Sequence, residues 1–315
     1  MVLGPNVVCD GYDENATVHI ITHAHSDHIR GLGKSIRYAP YVGMTPATKE
    51  ILEVLGYRIP RHKYLELEYE RPFKIVDDIL YLKPARHIVG SAQVVVEYMN
   101  VKIVYTGDFK LPGTPIIDTD VLVIESTYGN PQYTRPFKDE IETLFVDLVK
   151  DTLVKGPVVI YGYHGKLQEA MEIIREHGLD VPFIAPYKVY KIAKIAEKYG
   201  MKISPLYREG SIEAEEAIRS GWFIVFHHMN SRRRNYGRCS HIILSGWEFE
   251  EPIRRLDYDR YLVALSDHAD FEDLLEYVEN AKPKLVIVDG SRSGSPHALA
   301  KEITKRFNIK SIVMP

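Results

Sequence analysis

The sequence predicts an α/β fold that carries an inserted second α/β domain. Three observations support that expectation. Short runs rich in Val, Ile and Tyr alternate with longer stretches of helical period, the pattern of strands joined by crossover helices. The first buried run ends on a cluster of histidines and aspartate, and α/β proteins commonly place their chemistry at strand ends. The rhythm then changes twice, near residues 131 and 246, with no flexible linker at either point.

Taken in order, residues 17–22 (TVHIIT) read as a buried strand and 47–55 as a short helix. Residues 79–83, 92–99 and 101–106 read as strands, with Asn100 turning the latter pair, and 121–125 as another buried strand. A helix is predicted over 137–152. Strands at 157–161, 182–185, 222–227 and 241–244 then alternate with helices at 167–176 and 189–199. The last section repeats the βα rhythm, with strands at 261–265, 285–288 and 309–313 and helices at 271–278 and 298–306. The predicted organisation is therefore a discontinuous domain, 1–130 with 246–315, interrupted by a domain over 131–245. Crossover helices imply mostly parallel sheets.

The bulk properties exclude several classes. The 315 residues are 45% hydrophobic and 26% charged, an ordinary globular composition with neither the low apolar content nor the high net charge of disorder. No run of 18 apolar residues argues for a transmembrane helix, and MVLGPNVVCDGYDE lacks the pattern of a secretory signal, so a cytoplasmic protein with no membrane partner is expected. Cys9 and Cys239 form no disulfide framework and no C-x-x-C pair. A net charge of −3 does not announce a nucleic-acid partner, although a local groove can be positive on a neutral protein. Glutamine occurs three times beside many Glu, Lys and Arg, a weak sign of heat tolerance.

The chemistry concentrates in T-H-A-H-S-D-H. His23, His25, Asp27 and His28 put four ligand-capable side chains within six residues, and imidazole with carboxylate suits zinc and related divalent ions. On a strand His23 and His25 share a face, and a turn is needed to bring His28 round. A polar surface loop is the bland alternative. Most of the 13 histidines need no metal: His177 precedes Gly178 at a helix end, where an imidazole can serve the C-terminus, and of the adjacent His227 and His228 one is expected to be structural.

This motif resembles the H-x-H-x-D-H signature of the metallo-β-lactamase superfamily. His87 in ARHIVGSAQ, Asp108 in VYTGDFK, Glu125 in VIESTYG and His268 in LSDHADFEDL follow in the order of its β-CASP nuclease branch. GSAQ, GDFK, ESTYGNP and SDHADF are similar to the ligase-associated and DNA cross-link repair-type exonucleases of bacteria and archaea. The resemblance implies an αββα sandwich with an inserted β-CASP domain. It implies two divalent ions, zinc first with manganese as the alternative. His23, His25 and His87 would hold one ion, Asp27 and His28 the other, and Asp108 would bridge. Asp10, in CDG, would brace the ligand loop through hydrogen bonds. Glu125 and His268 would act with Asp27 and Asp108 at the scissile phosphate. In V-D-G, Asp289 stands where RNA-cleaving members carry a histidine ligand; it could ligate the second ion or cap the turn, and ligation is the favoured expectation.

Candidate phosphate contacts are Ser91 in the GSAQ loop, Lys166 in GYHGK, and Arg232, Arg233 and Arg234 in the densest basic run. Tyr128 and Tyr133 are weak candidates for stacking on bases. The expected function is a metal-dependent nuclease, a DNA exonuclease acting from the 5′ end in repair, on single-stranded or end-containing DNA. The alternative is a ribonuclease of RNA processing or decay, and behind it a small-molecule metallo-hydrolase. A degenerate, non-enzymatic subunit is the fourth reading, opposed by the intact ligand set. Oligomeric state is not legible.

Overall fold

The computed structural model describes residues 1–230 and 235–315; Arg232, Arg233 and Arg234 lie outside the described residues. The chain forms two compact units, Met1–Thr134 with His268–Pro315, and Arg135–Asp267. The return to the first unit thus falls at residue 268 rather than 246, and the reason is strand pairing, given below.

The first unit opens with β1 (Val2–Leu3), β2 (Val7–Cys9), β3 (Val18–Ile20), α1 (Leu32–Tyr38), β4 (Tyr41–Met44), α2 (Pro46–Leu55) and β5 (Tyr64–Glu66). The five strands make one sheet in sequential order, parallel after the β1–β2 hairpin. Val18 and Ile20 turn one way along β3 while His19 turns the other, where its Nδ1 meets Ser35 Oγ of α1 at 2.8 Å. Helix α2 starts on Thr45, whose side chain accepts from Thr48 N, with Pro46 at the first helical position, and ends on Gly56 at φ 103°. Next come β6 (Phe73–Ile75), β7 (Asp78–Pro84), β8 (Ala92–Tyr98), β9 (Val101–Tyr105) and β10 (Val121–Ile124).

The second unit carries α3 (Ile141–Leu153), β11 (Val158–Gly162), α4 (Lys166–Glu176), β12 (Phe183–Ala185), α5 (Tyr187–Lys198), β13 (Leu206–Arg208), α6 (Ile212–Ser220), β14 (Ile224–His228), β15 (Ser240–Leu244), β16 (Ile253–Asp257) and β17 (Arg260–Val263). Its seven-stranded sheet runs β13-β12-β14-β11-β15-β17-β16, all parallel except the edge strand β16. Because β17 pairs along β15, from His241 with Arg260 to Leu244 with Val263, residues 246–267 belong to this sheet.

Helix α7 (Phe271–Ala281), β18 (Leu285–Asp289), α8 (Pro296–Phe307) and β19 (Lys310–Met314) complete the first unit. Its second sheet has the order β19-β18-β10-β9-β8-β7-β6, a mixed sheet rather than a parallel one. Alternation along the strands gives it two apolar faces. Leu82, Val94, Val96 and Val123 pack with Val7, Val18 and Ile20 of the first sheet. Val95, Val104, Leu122 and Val286 pack with Phe271, Leu274, Leu299 and Ile303 of α7 and α8. The first unit is a two-sheet α/β sandwich with helices outside it.

Candidate metal centre

The site is built at strand ends of the first unit. β3 stops at Ile20, and Thr22 and His23 are fully buried just beyond it. Asp10, directly after β2, adopts the left-handed φ of 50°, unusual for a residue with a side chain. Its hydrogen bonds over-determine that conformation: the carboxylate accepts from Thr22 N (2.8 Å), Thr22 Oγ1 (2.6 Å) and His28 Nδ1 (2.7 Å). Asp10 thus braces the ligand loop. Burial would raise its carboxyl, but His28 and Arg292 hold it below the usual range. His87 lies in the turn after β7. There Gly90, at φ 87°, presses against α2; its carbonyl accepts from Thr45 Oγ1 (2.8 Å) and Thr48 Oγ1 (3.0 Å). A Cβ at residue 90 would lie 2.7 Å from Thr48 N, so only glycine fits.

These elements bring six side chains together. Asp108 Oδ2 is 3.5 Å from His23 Nε2, 3.0 Å from His28 Nε2 and 3.7 Å from His87 Nε2. His87 Nε2 lies 3.0 Å from His25 Nδ1, and His28 Nε2 lies 3.7 Å from Asp27 Oδ2. His23, His25, His87 and Asp108 form one group able to hold a metal ion; Asp27, His28 and Asp108 form a second, and Asp108 is common to both. The electrostatics follow from burial. Burial and then the neighbouring His28 and His87 drive His23 well below its usual range. His28 also feels burial, yet the carboxylates of Asp108 and Asp10 override it and push it up to about 10. Burial opposes ionisation of Asp108, but His28 beside it holds the carboxyl well below the usual range.

Next to this set, His268 Nδ1 sits 3.1 Å from Glu125 Oε2, and Glu125 Oε1 accepts from Phe109 N at 2.9 Å. Glu125 ends β10, and His268 precedes α7, whose N-cap is Asp270. Asp108, Glu125 and His268 form a further group of potential ligands, and the His268 ring centroid is 4.8 Å from that of His87.

Residues 18–175, half of the chain, match the family described as the metallo-beta-lactamase superfamily. The chain belongs to the metallo-β-lactamase superfamily. It is 49% identical over 138 residues to an uncharacterised protein from the lig 3′ region of Acidianus ambivalens, covering 43% of this chain and 99% of that one. A probable DNA ligase of Opitutus terrae is 29% identical over 85% of this chain and 26% of its own length. A probable RNase of Methanocaldococcus jannaschii is 29% identical over 48% of this chain and 36% of its own. The chain therefore spans only about a quarter and a third of these two relatives. A protein of unknown function from Enterococcus faecalis shares the fold, with a TM-score of 0.65 at 16% identity over 97% of this chain and 81% of that one.

The superfamily implies metal, and the residues fit it. The buried His23 Nε2 has no hydrogen-bond partner although it points toward Asp108, as a ligand nitrogen would. Imidazole nitrogens converging on one ionised carboxylate oxygen are the donor set of a divalent ion. The arrangement is that of a metal-dependent hydrolase.

Other expected contacts fall elsewhere. Asp289 is absent from the ligand groups: its carboxylate accepts from Ser291 N (2.9 Å), Ser291 Oγ (2.6 Å) and Tyr105 Oη (3.2 Å), and pairs with Arg292 Nη1 at 2.5 Å. Ser91 is buried, its Oγ accepting from Ile88 N, so it shapes the His87 turn instead of facing solvent. Lys166 is buried against Asp267, Nζ to Oδ1 3.1 Å, which neutralises the charge a phosphate would need. Tyr128 is buried, 5.8 Å from His268 between ring centroids, in place of an open stacking surface. His177 Nδ1 bonds Ile173 O at the end of α4, and Cys9 and Cys239 are free thiols. Sequence reasoning missed Thr22, Tyr105 and Arg292. Thr22, beside the first ligand, was the one of these with a local signal.

Proposed function

We propose that this superfamily member is a nuclease of the β-CASP branch, with residues 135–267 as the β-CASP domain. The carrying observation is the Glu125–His268 pair beside the ligand set, because a small-molecule hydrolase needs no second acid–base pair there. Divalent ions at the two groups would polarise a phosphate and acidify a water, and the nitrogen-rich group suits zinc. Asp108 fixes the spacing between the two groups. The reaction adds water across a P–O bond. Glu125 holds His268 by Nδ1, which assigns Nε2 to give a proton to the departing oxygen.

RNA is the better-supported substrate class, on the likeness to the archaeal RNase. DNA, cut from a 5′ end, is the second reading; it rests on the ligase relative, which aligns over most of this chain, and on an aspartate at 289. Matched 5′-labelled RNA and DNA strands, incubated with zinc or manganese, separate the two. His268→Ala should retain its metal and lose about 10²–10⁴-fold in single-turnover cleavage. Normal cleavage at full metal content would remove His268 from the chemistry and with it the main ground for a nuclease.

A further inference from the structure

The second unit contains a cavity of about 340 Å³ that the chemistry above does not use. It lies at the amino edge of the sheet, where β15 and β17 begin at Ser240 and Arg260 and where Lys155 leads from α3 toward β11. The loop after Gly162 and the buried Lys166–Asp267 pair are at the other, carboxyl edge. The size falls in the range of about 300–1,000 Å³ typical of small-ligand sites.

Its lining is unusual for a chain with more acidic than basic residues. Lys155, Arg238 and Arg255 line it, against one carboxylate, Asp259. Among the described residues none of the three cations is in an ion pair. Arg255 is held by backbone carbonyls instead, Nε to Asp257 O at 3.0 Å and Nη2 to Tyr258 O at 2.9 Å. That fixes the guanidinium without neutralising it. Arg238 Nη2 reaches Tyr258 Oη at 3.4 Å. Both guanidiniums lie within cation–π range of the Tyr258 ring, 5.8 Å from Arg238 and 5.7 Å from Arg255, yet the ring remains 71% exposed. Tyr261 lines the cavity as a second aromatic. Uncompensated cations suit phosphate, and an exposed aromatic among them suits a base, whose stacking tolerates any sequence. A simple anion site would need no aromatic, and a solvated charged surface would need no cavity.

We propose that this cavity docks single-stranded nucleic acid, Arg238, Arg255 and Lys155 taking backbone phosphates and Tyr258 stacking on a base. The proposal rests on the nuclease reading for its biological sense, but not for its test. Binding of a labelled 20-nucleotide strand is measured by anisotropy on the full chain carrying Asp108→Asn, across a salt series. Adding Arg238→Gln with Arg255→Gln should weaken binding tenfold or more and reduce the log–log salt slope by about one, since each phosphate contact on a single strand contributes about 0.7. Tyr258→Ala should weaken it about tenfold, within the range for one stacked base. In the chain with Asp108 restored, the double Arg variant should hydrolyse bis(p-nitrophenyl) phosphate at the normal rate, because that small diester does not need the cavity. Unchanged affinity and slope in the Arg variant would overturn the proposal. So would competition by adenosine monophosphate at strand-like concentrations, which would make the cavity a free-nucleotide site. Loss of strand binding in the variants of a chain whose unmodified form cleaves neither strand nor diester would support the docking site while sinking the nuclease reading.

Discussion

At the scale of single residues, Asp108 and Arg292 hold contrasting positions. Asp108 is the one carboxylate common to both ligand groups, and an amide cannot bridge two cations. Asp108→Asn should therefore lose bound metal as well as nearly all hydrolysis, while circular dichroism stays native. Full metal content in that variant would remove Asp108 from the bridge. Arg292 is three-quarters or more buried in contact with Asp289, Tyr105 and, at 3.7 Å, Asp10. Burial works against its charge, but these partners raise its ionisation above the usual range, so it is a fixed cation beside the second group of ligands. It engages the carboxylate that the sequence offers as a ligand. Asp289→Asn should then leave metal stoichiometry unchanged and cost stability, on the order of 3 kcal/mol for breaking a buried pair. Loss of one ion per chain at unchanged melting temperature would instead make Asp289 a ligand. Six ligands were legible because side-chain chemistry and short spacing announce them. The role of Arg292 was not, because its contact with Asp10 joins residues at opposite ends of the sequence.

At the scale of elements, the ligands owe their positions to turns more than to strands. The turn carrying His87 is held against the start of α2 through Gly90. Gly90→Ala would force a Cβ into Thr48 N and a side chain into a left-handed φ. It should lower zinc affinity, read by competition with a chromophoric chelator, without touching any ligand. Affinity equal to that of the unmodified chain would show that the turn adjusts freely. Long strands and helices such as β8, α4 and α5 are legible from hydrophobic period. β1, β2, β4 and β5 are not, being too short for a period to register. The boundary at 268 was missed for another reason: β17 reads as a strand in either domain, and only its pairing with β15 decides which.

At the scale of the whole molecule, the first unit is built from both ends of the chain. β10 is paired on one side by β9 and on the other by β18, and its outer face is covered by α7 and α8. A chain stopped after residue 267 keeps every strand of the second sheet-bearing unit but lacks β18, β19, both helices and His268. It should lose zinc uptake and expose apolar surface to a hydrophobic dye, with the secondary structure of the 135–267 unit retained. Tight zinc binding by that fragment would show that the ligand set forms without the closing segment. The same discontinuity has a consequence for biosynthesis. The contact between Tyr105 and Asp289 spans 184 positions. At about 5–20 residues per second, a ribosome needs roughly 10–40 s to deliver the second partner after the first. For that interval the nascent protein carries its first six ligands beside an unpaired strand edge, so metal capture and aggregation compete before translation has ended.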